Sequence, residues 1–338
     1  MDRPIYRSTL GFTSENLAAV RKENTHEWTS ARYRRNVPNS SRIVSLLPST
    51  TEIVAALGGL ERLRAVTFEC DYPEGVRNGR EIVVDTPMPS GLTPGEIDTF
   101  VRARMSAGLP MYELKTDVVS RIAPDVVLTQ DLCHVCALPA GEVEQALERI
   151  GCDANVVTFD PHSVDEVLEG IVTIAEAIDA HDAGAALVEE LRRRRQAVVG
   201  SVAGRARPKV LVLEWIDPPF VAGHWVPELI TTAGAEALLA MPGERSTTVS
   251  WERAEASDPD IVLVAPCGFG VSAAVEQASI LVERFPRAQV WAIDGNAYVT
   301  RPGPRLIDAI EALAAAFHHG HETAGITQRV TKFVRSPP

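Results

Sequence analysis

Two stretches 135 residues apart repeat one pattern, Ala123-Pro124-Asp125-Val126-Val127-Leu128 and Asp258-Pro259-Asp260-Ile261-Val262-Leu263. A second pair, Val156-Val157-Thr158-Phe159-Asp160 and Val290-Trp291-Ala292-Ile293-Asp294, follows at a separation of 134. The opening runs Arg42-Ile43-Val44-Ser45-Leu46 and Lys209-Val210-Leu211-Val212-Leu213 stand 167 apart, so the first half carries an insertion ahead of its Pro-Asp strand. Short apolar, β-branched runs alternating with helical patterns predict buried parallel strands with helices on both faces. Pro-Asp before a Val-rich strand is common to many α/β chains. Here the echoes recur in the same order at nearly one offset, which points to two similar units.

Between those units, residues 182–202 read as one uninterrupted helix. Ala183, Ala185, Ala186, Leu187, Leu191, Ala197 and Val198 supply helix formers and an apolar stripe, and Glu189 and Glu190 precede Arg193 and Arg194 by four residues, the favourable order for ion pairs. Asp182 is the expected cap, and Gly204 with Pro208 the expected stop. Such a helix of about 20 residues spans about 30 Å, the width of a small domain, and holds two lobes apart without a flexible hinge. The expected fold is therefore α/β, two Rossmann-like lobes joined by a single long rigid helix. Its divisions are an N-terminal extension at 1–41, a first lobe at 42–180, the connecting helix at 181–204, a second lobe at 205–320 and a tail at 321–338.

With 45% apolar residues among 338, the chain has enough to core both units. No window reaches the roughly 18 apolar residues of a membrane span, so insertion into a membrane is not expected. A net charge of −12 argues against nucleic acid as a partner, because a phosphate-binding face needs clustered Lys and Arg. The one basic run, Arg192 to Arg195, has Glu189 and Glu190 beside it and reads as a solvated helix face. Residues 1–41 hold several arginines but no apolar stretch of a secretory signal, and the first cysteine is Cys70, which does not suit lipid attachment. A cytoplasmic chain is the expectation, with its five cysteines as thiols or metal ligands rather than disulfides.

Ligands of open α/β sheets sit in the loops after the strands. Three such loops carry cysteine: Phe68-Glu69-Cys70-Asp71-Tyr72-Pro73, the run from Thr129 to Leu138 with Cys133-His134-Val135-Cys136, and Ala265-Pro266-Cys267-Gly268-Phe269-Gly270. The two-residue gap lets Cys133 and Cys136 reach one metal or form a redox pair, and the inferred topology sends Cys70 and Cys267 to the same facing edges. Four thiolates suit Zn or an iron–sulfur cluster, and three with an open position suit a reactive metal; His134 is a further candidate ligand. The same cysteines also read as small buried residues of tight loops, and His134 as a solvated side chain. Cys152 reads as core.

In the second half, the stretch from Glu214 to Trp225 sets Trp215, Phe220, His224 and Trp225 amid Pro and Gly, a composition suited to a flat apolar ligand face. His318, His319 and His321 cluster at a helix end, where stabilising the last carbonyls or simple exposure is the ordinary reading. There is no GxSxG elbow, and Gly268-Phe269-Gly270 is too short for a dinucleotide fingerprint, so no catalytic residue is assigned.

These runs, together with Leu47-Pro48-Ser49-Thr50-Thr51-Glu52, Phe220-Val221-Ala222-Gly223-His224-Trp225-Val226-Pro227-Glu228, Asp294-Gly295-Asn296-Ala297-Tyr298 and Arg301-Pro302-Gly303-Pro304-Arg305, resemble the substrate-binding proteins of ABC importers for cobalamin and iron–siderophores. The likeness is to the cobalamin, vitamin B12-type subgroup and spans residues 42 to about 318. It implies a cobalamin or related corrinoid or tetrapyrrole ligand between the lobes, against Tyr72, Trp215, Phe220, Trp225, Phe269 and Tyr298, with Arg301 or Arg305 reaching polar groups; His224, among the aromatics, is a further candidate from its surroundings alone. It further implies docking of an exported relative on a membrane permease through one carboxylate per lobe, Asp117 and Glu252 here. Two features depart from the pattern: no export signal is visible, and the cysteine loops are not needed for B12 import. The leading expectation is a corrinoid- or tetrapyrrole-binding protein. The competing one is a cytoplasmic metalloprotein or metal-dependent enzyme on the same scaffold, its thiolates holding Zn or Fe. A third is a redox dithiol at Cys133 and Cys136.

Overall fold

The computed structural model describes residues 41–130 and 140–331. The expected extension at 1–41 lies outside them but for Ser41, and so do Cys133, His134 and Cys136.

The first lobe runs β1 (Ile43–Ser45), α1 (Pro48–Ala56), β2 (Leu63–Thr67), β3 (Glu81–Asp85), α2 (Pro94–Ser106), β4 (Glu113–Leu114), α3 (Thr116–Ile122), β5 (Val126–Thr129), α4 (Ala140–Arg149), β6 (Asn155–Thr158) and α5 (Val164–Ala177). A long helix, α6 (His181–Val202), leads to the second lobe. There follow β7 (Lys209–Ile216), β8 (Pro219–Val221), α7 (Val226–Thr232), β9 (Glu236–Ala237), β10 (Thr247–Thr248), α8 (Trp251–Ala256) and β11 (Ile261–Val264). The lobe closes with α9 (Val271–Ser279), α10 (Leu281–Arg284), β12 (Gln289–Ile293), α11 (Gly295–Tyr298), α12 (Leu306–His319) and β13 (Thr327–Val330).

The first sheet has the order β4-β3-β2-β1-β5-β6, parallel except at β4. In the second, β9-β7-β11-β12 are parallel, and β8, β10 and β13 add antiparallel pairs. The parallel cores β2-β1-β5-β6 and β9-β7-β11-β12 therefore match strand for strand. The echo in sequence is an echo in register: Val127 lies between Val44 and Val156, and Val262 between Leu211 and Val290. Strands such as β5 and β11 are buried along their whole length, as parallel strands covered on both faces must be.

Several short elements depart from the expected pattern. A two-residue strand, β4, precedes α3, which begins at Thr116. Residues 219–221, amid the prolines and aromatics of the 214–225 stretch, form a hairpin strand against β7. The expected tail at 321–338 contributes β13, which pairs antiparallel with β12 and buries Thr327 and Val330. A sequence of four residues with two charged or amide positions shows no run of apolar alternation, so pairing rather than pattern creates this edge.

Helix α6 starts at His181 without a side-chain cap, and Asp182 falls in its first turn, where a carboxylate favours the positive end of the helix dipole. Its buried residues, Gly184, Val188, Leu191 and Val198, form one face. Gly184 is required there, since a Cβ would come within 2.4 Å of Ala175 Cβ on α5. Arg194 binds Glu311 at 2.9 and 2.6 Å and Asp308 at 2.6 Å on α12, and Arg195 binds Asp165 on α5 at 2.6 Å. One apolar cluster contains residues of β1, α1, α5, α6, β7, α7 and α12, so both lobes and the helix share a core. The opposite faces of the two sheets have separate clusters. Continuous packing of this kind makes the connection stiff.

Candidate functional site

At the end of β1 the chain turns into α1 through Pro48, whose missing N–H is no loss in a first helical turn. The following polar residues do not face water. Ser45 Oγ, Thr50 Oγ1 and Thr51 Oγ1 bond one another at 2.7 and 2.8 Å, and Cys70 Sγ lies 3.2 Å from Thr51 Oγ1 and 3.3 Å from Thr67 Oγ1. This network ties the ends of β1 and β2 to α1. Cys70 is wholly buried within it, and burial pushes its thiol above the usual range against the pull of those hydroxyls. The Cys70 thiol, expected as a metal ligand, is here enclosed by the hydroxyls of Thr51 and Thr67. Cys267 is exposed in the loop after β11, and Cys152 is half-buried near the start of β6. Among the described residues, no group of three or more His, Cys, Asp or Glu is placed to hold a metal ion.

The same turn places Glu52 inward, its side chain 3% exposed. Its partners come from the other lobe. Arg305 donates from Nε to Glu52 Oε2 at 2.8 Å and from Nη2 to Oε1, and Arg301 Nη1 reaches Glu52 Oε1 at 3.2 Å. Arg301 also grips Asp71, with Nη2 3.3 Å from Oδ2, and donates to the Glu69 carbonyl at 3.2 Å. Arg301, 8% exposed, is thus held by the loop after β2 and by α1 together. Burial lowers a guanidinium's pKa, but Asp71 and Glu52 outweigh it and leave Arg301 above its ordinary value. Burial raises the Asp71 carboxyl, and the hydrogen bond and charge of Arg301, aided by Arg305, bring it below the usual carboxylate range. Glu69 fares differently: burial pushes it to about 7, against the Arg301 charge and a bond from Tyr112. Asp294, which caps α11 by accepting from Ala297 N at 2.8 Å, is also raised by burial. These two arginines were expected to reach a ligand. They are instead engaged by carboxylates of the first lobe.

Aromatic rings surround this ion cluster. The Arg305 guanidinium lies 4.2 Å from the ring centre of Tyr72, from the first lobe, and 5.1 Å from that of Tyr298, from the second, a stacking favourable to both. Tyr72 is 46% exposed and Tyr298 partly so. Trp215 and Phe269 form a second aromatic pair with centroids 5.9 Å apart, and Phe220 is the strand partner of Trp215, all three half-buried. Trp225 does not join them. It is 5% exposed and its indole N–H donates to the Val299 carbonyl at 2.8 Å, which makes it a core anchor of the second lobe and corrects its assignment to the ligand face.

Two further contacts join the lobes. Asp217, in the turn between β7 and β8, stands so close to α2 that a Cβ on Gly95 would meet its Oδ2 at 2.7 Å. On the far flank, Glu228 Oε2 accepts from Val164 N at 2.6 Å and His162 Nδ1 lies 3.1 Å from the Gly243 carbonyl. His162 and His224 rings are 5.8 Å apart there, and His224 sits at φ +52, an uncommon conformation for a side chain with a Cβ. Burial, then His162 and Arg245, lower its pKa, so it is neutral near pH 7. The sequence reading missed Glu52, Glu69, Asp71, Asp217 and Asn296 as seam residues. Glu69 and Asp71 had a signal in their place on a loop after a strand, and Glu52 as a lone carboxylate in an otherwise neutral helix.

The pattern of one family, described as periplasmic binding protein, matches residues 43–287. The chain belongs to the periplasmic binding protein family. Among its relatives, a vitamin B12-binding protein of Vibrio cholerae is 21% identical over 276 residues, covering 80% of this chain and 87% of the relative. The crystal structure of the periplasmic vitamin B12 binding protein BtuF of Vibrio cholerae superposes with a TM-score of 0.61 at 19% identity, over 81% of this chain and 95% of that one. The periplasmic heme-binding protein BhuT, in complex with two hemes, superposes with a TM-score of 0.60 at 25% identity, over 82% and 98%. As in that family, this member has two α/β lobes joined by a long helix. Asp117 and Glu252, the expected docking carboxylates, are exposed second residues of α3 and α8, the helices that precede β5 and β11, and they stand 135 apart like the echo itself. No helix among the described residues is long and apolar enough to cross a membrane.

Proposed function

We propose that the chain is a binding protein for cobalamin, a related corrinoid or another tetrapyrrole, taken up between the carboxyl edges of its two lobes. The observation that carries this reading is the placing of Tyr72 and Tyr298, from opposite lobes, around one guanidinium, with Trp215 and Phe269 presenting further half-buried rings on the second lobe. Half-exposed aromatic faces at a seam between lobes give a flat macrocycle area on both sides, and the loops after the strands are where an open α/β sheet holds its ligand. The names of the relatives support the same class of ligand. A permease partner belongs to the proposal: Asp117 and Glu252 occupy equivalent exposed positions, one on each lobe, as two docking carboxylates would.

A titration with hydroxocobalamin, dicyanocobinamide and hemin, followed by visible absorption and equilibrium dialysis, tests it. The expected result is saturable binding of at least one of the three at one or two molecules per chain. Absence of saturable binding for all three would contradict the reading.

A further inference from the structure

The ion cluster bears on what the side chains of such a macrocycle end in. Each seam guanidinium already has its carboxylate: Arg301 holds Asp71 and Glu52, and Arg305 holds Glu52 through two nitrogens. The faces of Arg305 are covered by Tyr72 and Tyr298 at 4.2 and 5.1 Å. Glu69 and Asp294 add two more carboxyl groups, both raised by burial, so four acids stand around two arginines. Arg77, on the loop after β2, is exposed and donates to the Phe68 carbonyl at 2.8 Å. A ligand carboxylate arriving at Arg301 or Arg305 meets a guanidinium already paired with an acid. It would displace Glu52 and leave that acid buried and unpaired, displace the half-exposed Asp71 and leave it without its partner, or add like charge to the cluster; all three are unfavourable. A primary amide carries no charge, donates to carboxylate oxygens, and matches the neighbouring carboxamide of Asn296, whose Nδ2 lies 3.4 Å from Asp71 Oδ2.

Resting on the macrocycle reading above, we propose that Glu52, seconded by Asp71, is a specificity filter. By occupying Arg301 and Arg305 it makes the seam accept macrocycles whose side chains end in uncharged amides and reject those ending in carboxylates.

The test uses the full chain and three corrins that share one ring: dicyanocobinamide with amide side chains, dicyanocobyrinic acid heptacarboxylate, and its heptamethyl ester. Tryptophan fluorescence and visible absorption report binding. The wild type is expected to bind the amide form at least about tenfold more tightly than the heptacarboxylate, with the uncharged ester lying nearer the amide. Glu52→Gln frees a guanidinium and is expected to shrink the amide-to-carboxylate ratio by about tenfold, and Asp71→Asn to shrink it in the same direction. The conservative Asp71 variant, at a half-exposed side chain, carries the comparison if the Glu52 variant does not fold. Equal wild-type affinity for the amide and the heptacarboxylate, or a ratio unchanged in the folded variants, overturns the filter while leaving macrocycle binding intact. Failure of all three corrins and of hemin to bind the wild type overturns both the filter and the function reading.

Discussion

Glu69 shows how single residues at the seam trade stability for position. Its carboxyl titrates at about 7 against an ordinary 4.5, chiefly because burial disfavours the charge. Between those values the native chain holds a proton that the unfolded chain has released, so this residue makes stability fall as pH rises from 4.5 to 7 and costs a constant amount above that. Glu69→Gln mimics the protonated state. Chemical denaturation should show the variant more stable than the wild type by about 1–3 kcal/mol at pH 8, with the difference vanishing near pH 4. A difference independent of pH would show that Glu69 is not the titrating group. Asp71, two residues on, is shifted the opposite way because the arginines over it outweigh its burial. Neither shift was legible in sequence. The partner of Glu52 lies 249 and 253 residues away, and no spacing rule connects an acid in one lobe with arginines in the other. Arg301 and Arg305 were therefore read as turned toward a ligand, and Trp225, because it sits among aromatics, as part of the ligand face.

At the level of elements, the strands with continuous apolar runs and the helices with caps were readable. The capping box of Thr93 and Glu96 forms on α2, with Thr93 N donating to Glu96 Oε2 at 2.8 Å. On α5, Ser163 caps by accepting from Glu166 N, and Glu166 takes the His162 N–H at 2.6 Å instead of completing a box. Elements of two to four residues at or next to the sheet edges, β4, β8, β9, β10 and β13, were not readable, because their identity comes from a neighbour rather than from their own periodicity. The connecting helix was legible from its composition, yet its tight crossing with α5 was not, since a glycine within a helix reads as a weak point until its neighbour is known. Gly184→Ala adds a methyl 2.4 Å from Ala175 Cβ. Despite the better helix propensity of alanine, urea denaturation should show a loss of about 1–3 kcal/mol. Adding Ala175→Gly should recover part of it, and an unchanged midpoint in the single variant would contradict the close crossing.

For the molecule as a whole, the shared core of α5, α6, α7 and α12 keeps the lobes at one spacing, and three sets of contacts close the seam. These are the Glu52–Asp71–Arg301–Arg305 cluster, the approach of Asp217 to Gly95, and the flank where Glu228 and Gly243 meet Val164 and His162. The two-lobe plan was legible because each lobe carries the same pattern of strands at nearly one separation. The site was legible in its location and in part of its aromatic lining, but its charge balance depends on a meeting of lobes that only the fold brings about. A cavity of about 360 Å³ lined by Arg207, Pro227, Thr231 and Glu236 lies on the second lobe and includes no residue of the seam. A crystal structure of the full chain grown with dicyanocobinamide tests the central claim most directly. The account predicts the corrin ring between the lobes, in contact with Tyr72 and Tyr298 and with Trp215 or Phe269. A corrin bound in the Arg207 cavity, or on an outer face with the seam aromatics untouched, would contradict it.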